Sequence, residues 1–100
     1  YQANLFKKFV IFLDAQTEQY MVFGTALVST YLGAVLKKNL ICFLDEDENR
    51  LGKLLLNKEI IHPKKVKTKQ KIILPFTQDS IIDDIKKRYK SSDFIIAKDI

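Results

Sequence analysis

The chain has 100 residues, 47% of them hydrophobic, and 17 Lys and Arg against 12 Asp and Glu give a formal net charge of +5. A chain of this length suits one domain that buries roughly 60 to 70% of its unfolded surface, so no disulfide or metal staple is required. A single cysteine, Cys42, excludes an internal disulfide, no secretory leader opens the chain, and no apolar run approaches the roughly 20 residues of a membrane-spanning helix, so a soluble cytoplasmic chain without a membrane span is expected.

The first predicted element is an amphipathic helix over residues 3–16, with Leu5, Phe6, Phe9, Val10, Phe12 and Leu13 on one side and Lys7, Lys8 and Asp14 largely elsewhere. It packs on the sheet that follows, joins an upstream domain, or pairs two copies as a homodimer. Because the chain starts at Tyr1 without methionine, residues 1–19 read as a helix and linker within an excised piece of a longer protein, and residues 20–100 as its domain.

From Tyr20 onward strand and helix patterns alternate. Tyr20 to Phe23 is a short apolar run ended by Gly24, and Ala26 to Leu36 has helical periodicity through Leu27, Thr30, Tyr31, Ala34 and Val35. Lys37-Lys38-Asn39 closes that helix with cations at its negative end. Leu40 to Leu44, with Cys42 inside it as a small buried hydrophobe, is too short for a helix and reads as the second strand. Leu54-Leu55-Leu56 and Glu59-Ile60-Ile61 flank Asn57-Lys58 as a small hairpin or a pair of extended arms.

Lysines cluster between His62 and Lys71 with no arginine and no interleaved aromatics. Base readout and stacking call for arginine and exposed rings, so this is read as a solvated connector and nucleic acid is not an expected partner. Lys71 to Phe76 is the third strand, Ser80 to Tyr89 a helix with Ile81, Ile82 and Ile85 inward, and Phe94 to Ala97 the fourth strand. Apolar strands separated by helices predict an α/β class: a small Rossmann-like domain with a mainly parallel four-stranded sheet, flanking helices, and the amphipathic helix in front.

The turn after the first strand is where such folds hold a phosphate. In a G-x-G-x-x-G turn the glycines make the bend, admit the pyrophosphate and allow close helix packing; here Gly24, Ala26 and Ser29 take those places. Ala26 adds a methyl where a pyrophosphate lies against bare backbone, while Thr25 and Ser29 offer hydroxyls beside a helix N-terminus. Asp45 ends the second strand about 20 residues after the turn, the place of a ribose-binding carboxylate, against the alternative of a solvated loop Asp45-Glu46-Asp47-Glu48. Asn49 and Arg50 reach a phosphate or cap that loop, the cap being preferred. Phe76 and Thr77 end the third strand near the same crevice, Thr77 being equally an N-cap. The one histidine, His62, stands apart before a proline, so no metal site is expected, and no nucleophile with a paired base is found.

The order VFGTALVSTYLGAVLKKN, ICFLDEDENRLGKLLLNKEIIHPKKV and KIILPF resembles the C-terminal domain of sugar C-methyltransferases and, more broadly, the Rossmann-like nucleotide-sugar-associated domains of bacterial surface-polysaccharide enzymes. The shared pattern is a glycine turn, a strand ending in Asp followed by Asn or Arg and Leu-Gly-Lys, an arm to Ile-x-x-Pro and an I-I-L-P strand, covering residues 20–97. The resemblance implies a non-catalytic domain that holds a nucleotide sugar or similar small molecule through Gly24, Thr25, Ala26, Asp45, Phe76 and Thr77, inside a larger sugar-modifying enzyme of bacterial polysaccharide biosynthesis. It also implies an upstream catalytic domain as partner, with S-adenosylmethionine bound there and no cofactor here. The alternative is a scaffold or interaction domain that kept the fold without the ligand.

Overall fold

The computed structural model describes residues 18–66 and 69–99, together with Lys8 and Ile11. Apart from those two residues, the helix expected over residues 3–16 lies outside the described residues. The rest folds as six strands, β1 (Tyr20–Phe23), β2 (Leu40–Leu44), β3 (Leu54–Leu55), β4 (Lys58–Ile61), β5 (Lys71–Leu74) and β6 (Phe94–Ile96), and two α-helices, α1 (Leu27–Leu36) and α2 (Asp79–Arg88). They form one sheet in the order β3-β4-β2-β1-β5-β6. All pairings are parallel except that of β3 with β4.

The α/β class and its general Rossmann-like kind are as expected, whereas the four-stranded parallel sheet is corrected to a mixed sheet of six strands. The two additional strands come from the hairpin. Its second arm does not stay peripheral: β4 pairs in parallel with β2 through Phe43 opposite Ile60 and Leu44 opposite Ile61. That docking uses the apolar Ile60, which is buried on the sheet, so the hairpin becomes the sheet's edge.

The connections explain the layering. From β1 the chain passes through α1 to β2 on one side, and from β5 through α2 to β6 on the other. Crossovers of one hand that run in opposite directions must place their helices on opposite faces. Accordingly Leu32 and Leu36 of α1 pack with Tyr20, Val22, Phe43 and Ile73, while Ile82 and Ile85 of α2 pack with Met21, Phe23, Leu44, Ile72 and Leu74. The directions diverge between β1 and β5, which makes their carboxyl ends the topological switch point, the usual ligand crevice of open α/β sheets.

Two local details depart from simple strand and helix periods. The register between β1 and β2 shifts between Tyr20–Leu40 and Val22–Phe43, so β2 carries a bulge that leaves Leu40 and Phe43 on the α1 face while Cys42 and Leu44 turn to the other. The inward face of α1 is Ser29, Leu32, Gly33 and Leu36, not the predicted stripe: Leu27 is 80% and Tyr31 47% exposed. Close approach, not hydrophobicity, sets this orientation. A Cβ built on Gly33 would lie 2.5 Å from the Phe43 ring and 3.2 Å from Leu40, so the smallest side of the helix meets the sheet. On α2 the inward residues Ile82 and Ile85 are as read, but Ile81 is exposed.

The close seating gives a direct test. Gly33→Ala brings the better helix former, a gain of about 1 kcal/mol, against overpacking that costs about 1–3 kcal/mol; since the clash is with a fully buried ring, urea unfolding should show a net loss of stability. The hairpin turn offers the opposite outcome. Leu56 and Asn57 both have positive φ, 51° and 62°, as a two-residue turn of the I′ type requires, and a leucine held there is strained by roughly 1–2 kcal/mol. Leu56→Asn should therefore raise the urea midpoint, with a gain of about 0.5–1 kcal/mol.

Candidate functional site

The site is built on the turn that follows β1. Gly24 has φ +94°, and a Cβ there would lie 3.0 Å from the Ser29 Oγ, so the bend needs both the positive φ and the missing side chain. The Gly24 N–H donates to the Leu44 carbonyl at 2.6 Å, carrying the sheet's pairing one residue past β1. Ser29 is buried and its hydroxyl donates to the Phe23 carbonyl at 3.0 Å. The expectation that it faces a ligand is thus corrected: a hydroxyl sealed under the helix must find a partner in the backbone, and Ser29 has done so. Ala26 is exposed and stands at the N-cap of α1, where no side chain caps the first amides.

Thr25 and Asp45 meet across this edge. The Thr25 hydroxyl donates to Asp45 Oδ2 at 2.7 Å, and Arg50 Nη1 donates to the same hydroxyl oxygen. Asp45 Oδ1 accepts from the Asp47 N–H at 2.8 Å, and Asp47 Oδ1 from the Asn49 N–H at 3.0 Å. The Arg50 guanidinium lies 3.8 Å from Asp45 and 3.6 Å from Asp47. The loop after β2 is therefore two successive Asx turns wound around one arginine. Asp47 does the capping that was assigned to Asn49 and Arg50, which frees the arginine to reach the turn.

The other candidate residues fall nearby with different surroundings. Phe76 is half-buried and meets Phe23 edge-on at 6.1 Å; its ring also approaches the empty position beside Gly24. Thr77 is exposed, and since Gln78 is the N-cap of α2 and makes no side-chain cap bond, Thr77 does not cap that helix. His62 caps a short turn by accepting the Lys64 N–H on Nδ1 at 3.1 Å. Among the described residues no group of three or more His, Cys, Asp or Glu side chains could hold a metal ion. Burial, helped by the charge of Glu59, pushes the Cys42 thiol up to about 11, so at neutral pH it is protonated and serves as packing.

Glu46, read as part of a solvated acidic loop, is indeed exposed, but it is paired. Its carboxylate accepts from Arg88 Nε at 3.0 Å and from Arg88 Nη2 at 2.8 Å, and also from the Tyr89 hydroxyl. The side-on pairing fixes the loop after β2 to the end of α2. Partial burial opposes ionisation of Glu46, yet the hydrogen bonds from Tyr89 and Arg88 outweigh it and hold the carboxyl below its ordinary range. Nothing in the sequence marks this contact, because its partners are remote along the chain and acids in a loop are ordinarily solvated.

No family model, curated protein or solved structure matches the chain. The resemblance to the sugar C-methyltransferase domain therefore rests on the order of its motifs alone. Among the described residues no helix is long and apolar enough to cross a membrane.

The Glu46 contact predicts an acid-dependent stability. A carboxyl with a depressed folded pKa stabilises the fold fully above its unfolded value, ordinarily 4.5, and loses that contribution as pH falls through the folded value. Because both partners are partly exposed, the pair should contribute about 0.2–1 kcal/mol at neutral pH. Glu46→Gln should lower the urea midpoint at pH 7, and its difference from the parent should shrink as the pH drops through the carboxylate range.

Proposed function

We propose that residues 20–97 are a non-catalytic ligand-holding domain that takes a nucleotide sugar at the switch point and presents it to a catalytic domain elsewhere in a larger sugar-modifying enzyme. The observation that carries this reading is the convergence of Thr25, Asp45 and Arg50 beside the uncapped start of α1. A helix start attracts phosphate through its free amides and dipole, Arg50 adds a cation that matches phosphate oxygens, and Asp45 is the acceptor for a sugar hydroxyl. The Ala26 methyl is exposed, so it narrows the approach of a diphosphate without closing it. In this reading the parent enzyme belongs to bacterial polysaccharide biosynthesis in the cytoplasm, and its S-adenosylmethionine chemistry lies outside these residues.

A scaffold reading has one specific observation in its favour. Both Asp45 oxygens are already bonded by the chain itself, as they would be in a strap that only ties the loop to the turn. The two readings separate on ligand response. Titration of the 100-residue chain with UDP-glucose and with UDP should shift the amide resonances of residues 24–28, with millimolar affinity worth roughly 4 kcal/mol. Asp45→Asn should weaken that binding by on the order of 1.5–3 kcal/mol, and Ala26→Gly should strengthen it. Should Asp45→Asn cost stability while neither nucleotide moves any of those amides in the parent, the strap reading stands and the ligand-holding one falls.

A further inference from the structure

A concave surface lies away from this site. Beside the end of α2 is a cavity of about 850 Å³ walled by the turn at Pro63–Lys65, the residues entering β5, and the segment 87–93. Its lining includes Lys64, Lys69, Lys87 and Lys90, the Ser91 and Ser92 hydroxyls, and one carboxylate, Asp93. None of Gly24, Thr25, Ala26, Asp45 or Arg50 belongs to it. The four lysines are exposed, and among the described residues none has an ion-pair partner. Arg88 also lines the cavity, with Nε and Nη2 engaged by Glu46 and no Glu46 bond on Nη1.

Part of this charge has a plain structural use, since Lys87 and Arg88 sit in the last turn of α2 and offset its negative end. That use does not require Lys64 and Lys69, which come from another part of the chain and face the same cavity. Four ammonium groups against one carboxylate leave an excess of about three positive charges; a single phosphate brings only about −1.5 to −2, so two or more phosphates are needed to match it. The floor is apolar, formed by Met21 and Ile72, and a low-dielectric floor under charged walls focuses the field. The volume falls in the range of small-molecule sites, about 300–1,000 Å³. A nucleic-acid strand fits less well, because among the described residues the one aromatic lining the cavity, Tyr89, is buried and supplies no stacking surface.

We propose that this cavity binds small oligophosphate ligands, carrying two or more linked phosphates, through Lys64, Lys69, Lys87 and Lys90. The proposal is independent of the switch-point site and shares no residue with it. The test is a titration of the 100-residue chain with inorganic tripolyphosphate at physiological salt, followed by amide shifts and by calorimetry. Saturable shifts confined to residues 64–66, 69–72 and 87–93 are expected. The double variant Lys87→Gln, Lys90→Gln should weaken binding about tenfold, the scale of losing charge-assisted bonds. Lys37→Gln with Lys38→Gln removes the same charge from exposed positions outside the cavity, and at this ionic strength should change affinity by no more than about twofold. Both variants alter exposed side chains, and an unchanged amide spectrum elsewhere checks the fold. Absence of saturable shifts at millimolar tripolyphosphate overturns the proposal, as does equal weakening by the two double variants. A short single-stranded oligonucleotide that binds more tightly than tripolyphosphate overturns it in favour of a nucleic-acid surface.

Discussion

The seating of α1 on the sheet is the constraint from which the carboxyl edge follows. Interiors are packed as densely as organic crystals, so a helix settles where its smallest side chains allow the nearest approach. Here Gly33 meets the Phe43 ring and Ser29 lies over Gly24. Each small residue removes an obstruction, and the Ser29 hydroxyl then binds the Phe23 carbonyl, pinning the helix start against the last residue of β1. With the helix fixed at that height, the chain between Phe23 and Leu27 has only three residues in which to turn. Gly24 supplies the positive φ, and Thr25 is left projecting toward the end of β2.

The loop after β2 makes use of that projection. Asp45 bonds Thr25 on one side, and Glu46, its immediate neighbour, bonds Arg88 and Tyr89 on the other. Adjacent carboxylates thus tie the loop both to the turn in front of α1 and to the end of α2, helices on opposite faces of the sheet. Two acids side by side repel one another, and each is offset here by its own arginine, Arg50 for Asp45 and Arg88 for Glu46. Asp45, Glu46 and Asp47 are therefore held in place by paired charges with specific directions, although Glu46, Asp47 and Glu48 remain exposed to solvent.

The strands were legible in the sequence for a physical reason. A parallel sheet covered on both faces makes each strand a continuous apolar run, and YMVF, LICFL and KIIL each read that way. The hairpin was also visible, through Asn57 and its flanking aliphatics, but its place in the sheet was not, because pairing of β4 with β2 depends on a crossover between elements distant in sequence. The buried side of α1 was misread since periodicity weighs hydrophobicity, and here the deciding residues are glycine and serine. Gly24, Thr25 and Asp45 were legible as neighbours because the spacing of a strand, turn, helix and second strand fixes their meeting. The Glu46 contact was illegible: three side chains from two separate segments make it, and none carries a local signal.

Charge is distributed unevenly between the carboxyl edge and the cavity beside the end of α2. The carboxyl edge holds the acidic run with Arg50, while four lysines line the cavity beside the end of α2. Arg88 lines the cavity while its Nε and Nη2 hold Glu46, the neighbour of Asp45 in the loop after β2. An anion in that cavity acts on the same guanidinium that anchors the loop after β2. If it bonds the Nη1 side, the Glu46 pair persists and the loop is held; if it takes Nε and Nη2, Glu46 loses its charge-assisted bonds and keeps only the Tyr89 hydroxyl. The side-on geometry favours the first case, because a guanidinium has five N–H donors arranged around a plane and the carboxylate occupies only one edge of it. One arginine can therefore line the cavity and still keep the loop after β2 tied to the end of α2.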